Sequence, residues 1–279
     1  MMASVSLRKA KRGLPRPVPS AASGKAGRHP TRAWRRVLAA AIVLAAIIAF
    51  ANVPFTTLRG VNYVVTPRTL SFYEKTLDFL DRDVNYRRLA AEVTAGAATE
   101  TAKAKAVFDW TRANIKSTPQ ELPVIDDHIW HIIIRGYGQP DQKADVFTAV
   151  LSYAGVPAYW IFIGPRPEMP LSFVRVDGRW RVADVENGVM FRAKTGDLAT
   201  PEEIAADHSI VVQQGPREYG GVPYARFLER FAAPIPPDLT RAEMQMPGWR
   251  LWLELRKLVG RGGHEWQMRP PSRRAAEER

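Results

Sequence analysis

Six side chains in this sequence could move protons or hold a metal. They are Asp126, Asp127, His128 and His131 within one short stretch, then Asp141 and Asp184 further along. Two histidines three apart share one side of a helical turn, and with carboxylates beside them Asp127, His128 and His131 could hold a divalent cation. No third strong ligand stands at a convincing spacing, because His208 is remote in the chain. The plainer reading packs Trp130 and His131 beneath the turn before Gly136, while the aspartates cap it or face water. No metal and no other cofactor is therefore expected. The 279 residues include no cysteine, which removes disulfides, thiolate ligands and thiol nucleophiles together.

A second pattern begins at Gly138-Gln139-Pro140-Asp141-Gln142-Lys143-Ala144-Asp145-Val146-Phe147, with Leu151 and Gly155-Val156-Pro157-Ala158 behind it. Next come Leu171-Ser172-Phe173-Val174-Arg175-Val176, the dipeptide Asp177-Gly178, and Arg179-Trp180-Arg181-Val182-Ala183-Asp184. This succession resembles the core of the transglutaminase-like superfamily over about residues 99–190, with Ala106-Val107-Phe108-Asp109-Trp110 on the helix that precedes it. In that family a Gly-x-Cys turn opens a helix, a strand carries histidine before an aromatic residue, and the next strand carries Trp and Asp. The resemblance implies a papain-type cysteine peptidase fold and a Cys-His-Asp triad. Here the three positions hold Pro140, Leu171 and Asp184, so two of them depart from the family.

The departures have a physical meaning. A thiol at a helix start has its thiolate favoured by the dipole, an imidazole carries the proton, and a carboxylate orients the imidazole. Proline offers no nucleophile and leucine no base. Yet Pro140 suits the first helical position, where a missing N–H has no helical partner anyway. Asp141 in the first turn favours the same helix end. Ser152 and Ser172 are the nearest hydroxyls, and no histidine follows in the strands to activate either. Around the helix start, Trp130, His131, Tyr137, Gln139, Asp141, Gln142 and Asp184 are the candidates for a binding groove.

The elements that must position these residues follow from periodicity. Helices are expected from Thr69 to about Val93, from Thr99 to Ile115 with Ala102, Ala106, Val107, Trp110 and Ile115 inward, and from Pro140 to Ala154, where Gly155 ends the run. The period then becomes two. Strands are expected at Ala158–Ile163, Ser172–Val176 and Arg179–Val185, the last two joined by a tight Asp-Gly turn. A short helix after Pro201, a strand at Ile210–Gln213 and an amphipathic helix at Met246–Val259 complete the reading. That helix, with Trp252, Arg256, Lys257 and then Trp266, fits docking on its own domain or on a membrane surface. The class is α+β, with helices packed on an antiparallel sheet.

The net charge of +12 is a property of one end. Ten of the 40 Lys and Arg lie within residues 1–36, which contain no acidic residue. The rest of the chain is nearly neutral, so no nucleic acid partner is expected. Val37 to Leu58 then carries no charge, and its apolar heart is Val37–Ala51. These features predict a disordered basic tail at 1–33, a single transmembrane helix at 34–58, the transglutaminase-like domain at 59–260, and a disordered tail at 261–279. One-sided positive charge places the tail in the cytoplasm and the domain outside the inner membrane, in the periplasm. A cleaved signal peptide, with Ala49-Phe50-Ala51 as processing site, is the competing reading and exports the same domain.

Two functions remain in view. One is an inactive binding or scaffolding module of envelope or polysaccharide assembly, anchored in the membrane and engaging a peptide, glycan or protein. The other is a hydrolase or transferase drawing acid, base or metal chemistry from Asp126, Asp127, His128, His131, Asp141 and Asp184. In a third arrangement the basic tail acts on DNA or membrane and the domain is passive.

Overall fold

The computed structural model describes residues 32–126, 128–229, 231, 234–237 and 240–258. Asp127, the residue 1–31 part of the basic tail, Val259 and the 261–279 tail with Trp266 lie outside the described residues. The chain forms two units, residues 1–49 and 50–279. α1 (Arg32–Ala51), all but its last two residues in the first unit, buries none of its residues. It is long and apolar enough to cross a membrane. The helix ends before residue 58, where the apolar span was expected to close. Pro54 opens β1 (Pro54–Val61) instead, since proline cannot donate within a continuing helix and Phe-Thr-Thr behind it favours extended chain.

β1 pairs antiparallel with β2 (Val64–Ser71) through the turn residues Asn62 and Tyr63. The expected helix at Thr69 begins at Phe72 instead: α2 (Phe72–Val93) is started by a capping box. The Ser71 hydroxyl accepts from the Glu74 N–H at 3.4 Å, and Glu74 Oε2 accepts from the Ser71 N–H at 3.0 Å. α3 (Glu100–Asn114) is capped by Thr99. Its buried face is Ala104, Val107, Phe108 and Thr111, one step round from the expected stripe. The rotation follows from what covers it, for the Phe108 ring meets Phe147 edge-on at 5.8 Å. Ile115 is buried, but beyond the helix end.

Short strands β3 (Lys116–Ser117), β4 (Ile125–Asp126) and β5 (Tyr137–Gly138) bracket α4 (Ile129–Arg135). α5 (Pro140–Tyr153) follows, and every residue from Gln142 to Leu151 is buried. The main sheet runs β6 (Ala158–Ile163), β7 (Met169–Val176), β8 (Arg179–Asp184) and β9 (Val189–Met190), all antiparallel neighbours. Asp177 and Gly178 turn with φ of 52° and 74°, the two positive values that a tight hairpin turn of this hand demands. One core cluster joins α2, α3, α4 and α5 to Ala158, Val174, Val176 and Ala183. A second takes the alternate residues Tyr159, Met169, Leu171, Phe173 and Val182 against the C-terminal segment.

That segment contains α6 (Pro201–Ala206), α7 (Ser209–Gln214), β10 (Glu218–Tyr219), β11 (Val222–Pro223) and α8 (Pro247–Leu258). The strand expected at Ile210–Gln213 is α7, a helix. Adjacent Ile210 and Val211 are both buried while Val212 is 65% exposed, a pattern one helix face produces and strand alternation does not.

Candidate functional site

The start of α5 is built by its own loop. Gln142 Oε1 accepts from the Gln139 N–H at 3.0 Å and from Arg135 Nη2 at 3.0 Å, while Gln142 Nε2 donates to the Ile125 carbonyl at 2.7 Å. Gly138 is a close approach: a Cβ there would lie 3.0 Å from the Gln142 side chain and 3.1 Å from Ile132. Glycine before the helix is thus explained by packing, independently of any catalytic role. Pro140 stands at the first helical turn, as expected.

The end of β8 meets this helix start through Lys143, a buried lysine whose Nζ lies 2.7 Å from Glu186 Oε2 and donates to Ser117 Oγ at 2.9 Å. Sequence reasoning missed Lys143. Its signal was a charge at a helix position flanked by buried ones, which demands a partner. Asp184, at the β8 end, is fully buried. It accepts from the Asn187 N–H at 3.0 Å, from Asn187 Nδ2 at 2.8 Å and from the Tyr224 hydroxyl at 2.6 Å. Burial pushes its carboxyl up, against those donors. One ladder step beyond the Ser172 to Ala183 pair stands Leu171, also fully buried, within the second core cluster. Hydrocarbon thus stands at Leu171, where the resemblance leads one to expect a base, and the Asp184 carboxylate is bonded to Tyr224 and Asn187.

Carboxylates gather on the other side of the helix start. Asp145 is buried and accepts from Trp160 Nε1 at 2.7 Å, and its second oxygen lies 2.5 Å from Arg241 Nη1. Burial raises its carboxyl, while Arg241 opposes. Asp141 is raised to about 6 by burial, with the Asp145 charge and then Asp126 adding to the effect. The structure therefore brings Asp126 and Asp141 into one electrostatic neighbourhood, with Asp145 and Arg241 as members that sequence reasoning did not single out. Tyr219 is pushed up to about 12 by burial, and Glu186, Asp184 and Asp141 contribute, so it stands near both parts of the site.

The remaining candidates are placed differently. Trp130 packs edge-on against buried Tyr86 at 5.1 Å, a core contact. The His128 and His131 rings meet edge-to-face at 5.7 Å. Tyr137 lies under the Arg135 guanidinium at 5.7 Å. Among the described residues no three His, Asp or Glu side chains form a group able to hold a metal.

Asp141 gives a testable pH dependence. A carboxyl whose folded pKa exceeds its unfolded value binds its proton more tightly when folded, so ionisation weighs against folding. That penalty is absent below about pH 4, grows as pH rises through about 6, and is complete above it. Asp141→Asn should therefore stabilise the protein by on the order of 1–2 kcal/mol at pH 7.5, discounted for partial exposure, and by almost nothing at pH 4. Urea midpoints at the two pH values measure this. An equal effect at both contradicts it.

Residues 87–184 match the family described as the transglutaminase-like superfamily. No curated protein matches the chain. Among solved structures, a candidate cysteine protease from Cytophaga hutchinsonii is 16% identical with a TM-score of 0.34, covering 42% of this chain and 40% of that one. A candidate protease from Parabacteroides distasonis is 18% identical with a TM-score of 0.31, covering 37% and 24%. A TGase is 13% identical with a TM-score of 0.32, covering 47% and 43%. The chain thus spans less than half the length of each of these structures.

Proposed function

We propose that this protein, whose residues 87–184 match the transglutaminase-like superfamily, keeps that family's architecture as a catalytically inactive binding or scaffolding module. One observation supports this above all. The nucleophile and base positions hold Pro140 and fully buried Leu171, and Asp184 is committed to Asn187 and Tyr224. A carboxylate with no imidazole to orient cannot complete a proton relay.

In this reading α1 anchors the protein in the inner membrane and the domain stands in the periplasm, as the positive flank at Arg32, Arg35 and Arg36 directs. The surface beside the α5 start, with Tyr137, Gln139 and Asp141, holds a peptide, glycan or partner protein of cell-envelope or polysaccharide assembly. A capture experiment tests it. Detergent-solubilised full-length protein should retain an envelope component that a Tyr137→Ala/Gln139→Ala variant of equal thermal stability loses. Retention unchanged by the variant counts against this surface.

A second reading has its own support. A carboxyl raised to about 6 beside two others is a familiar setting for general acid–base work. On it Asp141 would serve a hydrolase or transferase with Asp126 as neighbour. It requires Asp141→Asn to abolish a measurable turnover.

A further inference from the structure

A cavity of about 380 Å³ lies between α3 and the last strand of the main sheet, where the edge strand β9 runs on into residues 191–198. None of its lining residues belongs to the α5 start. The buried part of the lining is apolar: Phe108 is 4% exposed and Leu198 6%. Three cations also line it, Lys105, Arg112 and Arg192, against the one carboxylate of Asp109. This size, with an apolar wall and a few convergent polar groups, suits a small-molecule pocket.

We propose that this cavity binds a small anion with an apolar body, a phosphate monoester or a carboxylate, through Arg112 and Arg192. The proposal is independent of what the α5 start does, and three observations carry it. First, Arg112 is held in place with its donors unused. Its guanidinium stands over the Phe108 ring, 5.8 Å from the centroid. It also lies against Gly188, where any Cβ would collide with it and where a φ of 75° favours glycine as well. Asp184 fixes the turn that carries Gly188, since its carboxylate accepts from the Asn187 N–H and from Asn187 Nδ2. Among the described residues Arg112 has no hydrogen-bond acceptor and no acidic partner.

Second, the charges around the cavity leave an anion to be supplied. Lys105 Nζ lies 2.5 Å from Asp109 Oδ2 and neutralises it. Arg192 is braced by its own loop: Nη1 donates to the Gly196 carbonyl at 2.8 Å, and its backbone N–H to Gln214 Oε1 at 2.8 Å. The other nitrogens of its guanidinium have no acceptor among the described residues. Two guanidinium groups thus line one cavity without a carboxylate of their own, and each offers the planar pair of donors that matches phosphate or carboxylate. Third, the lining is too long for a bare oxyanion. It follows α3 from Thr99, the cap of that helix, to Arg112, about 20 Å along the axis. Phe108 and Leu198 stand within that length and give an apolar body its place.

Isothermal titration calorimetry on the full-length protein in a nonionic detergent tests this, with phenyl phosphate, benzoate and inorganic phosphate as the probes. Phenyl phosphate should bind about tenfold more tightly than inorganic phosphate, which has no apolar body to bury. Arg112→Gln should weaken phenyl phosphate and benzoate on the order of tenfold. Arg112 is exposed, so that variant should fold as the parent does. Arg88→Gln, at an exposed arginine on α2, should change neither affinity. Tighter binding of phenyl phosphate than of benzoate assigns the phosphate monoester and the reverse order assigns the carboxylate; either supports the proposal if it depends on Arg112. Absence of binding by both aryl probes overturns it, as does binding that Arg112→Gln leaves unchanged. Inorganic phosphate bound as tightly as phenyl phosphate also overturns it, since charge alone would then account for the site.

Discussion

Leu171→His should cost about 3 kcal/mol of folding stability, and Tyr224→Phe in the same chain should remove about 1 kcal/mol of that loss. Leu171 is wholly enclosed with Met169, Phe173 and Phe191 in the second core cluster. Histidine there gives up apolar packing and brings a polar ring into hydrocarbon, which is costly unless the ring is bonded. Asp184, the carboxylate across the ladder, already accepts three hydrogen bonds, one of them from Tyr224 at 2.6 Å. Deleting the Tyr224 hydroxyl frees one lone pair for the imidazole, whose Cβ would lie roughly 5 Å across the strand pair. The single change Tyr224→Phe should itself cost about 1–2 kcal/mol, since it leaves Asp184 short of a donor. The two changes together therefore cost less than their sum. Denaturant unfolding of both singles and the double measures the coupling. Strict additivity would mean that the Tyr224 hydroxyl does not hold the Asp184 lone pair against an imidazole at 171.

The second large effect belongs to Arg241. Removing it as Arg241→Ala should cost about 3–5 kcal/mol at neutral pH, because the Asp145 carboxylate stays buried with Trp160 as its remaining named donor. Burial already raises the Asp145 carboxyl, and loss of the guanidinium raises it further. Protonation relieves an unpaired buried carboxylate, so the deficit should narrow as the pH falls and be greatest above neutrality. A double variant, Asp145→Asn/Arg241→Met, should recover much of the loss, as removal of both partners leaves no unpaired charge. A deficit independent of pH, or no rescue by the double variant, would show that the pair does not hold residues 240–245 onto α5.

What the sequence revealed was local in origin. Pro140 before a helix, Gly155 after it and Asp177-Gly178 between alternating strands each act within a few residues, and each element stands where those signals place it. The places of Leu171 and Asp184 in the sheet were legible for the same reason, since both are fixed by their distance from that turn. The partners were not. Lys143 meets Glu186 and Ser117, and Asp145 meets Trp160 and Arg241, across separations that no periodicity encodes. Two charges inside the buried run from Gln142 to Leu151 were nonetheless a sign that partners must exist.

The errors have equally particular causes. The uncharged stretch to Leu58 was read as membrane span, although Pro54 and the threonines behind it favour a strand. Ile210-Val211-Val212 is β-branched and so looked like a strand, yet Ser209 beside Asp207 starts a helix: Asp207 Oδ1 accepts from the Ser209 N–H at 3.1 Å. Local hydrogen bonding outweighed propensity there.

The central proposal is that a domain matching a superfamily of thiol enzymes is itself catalytically inactive. Its most direct test is turnover by the purified full-length protein on panels of peptide amides, glutamine–amine pairs and esters, beside the Asp141→Asn variant. No release or transfer above the buffer rate, the same for both proteins, is the predicted result. Sustained turnover that Asp141→Asn abolishes would contradict it, and would make the carboxylates at the α5 start the working site.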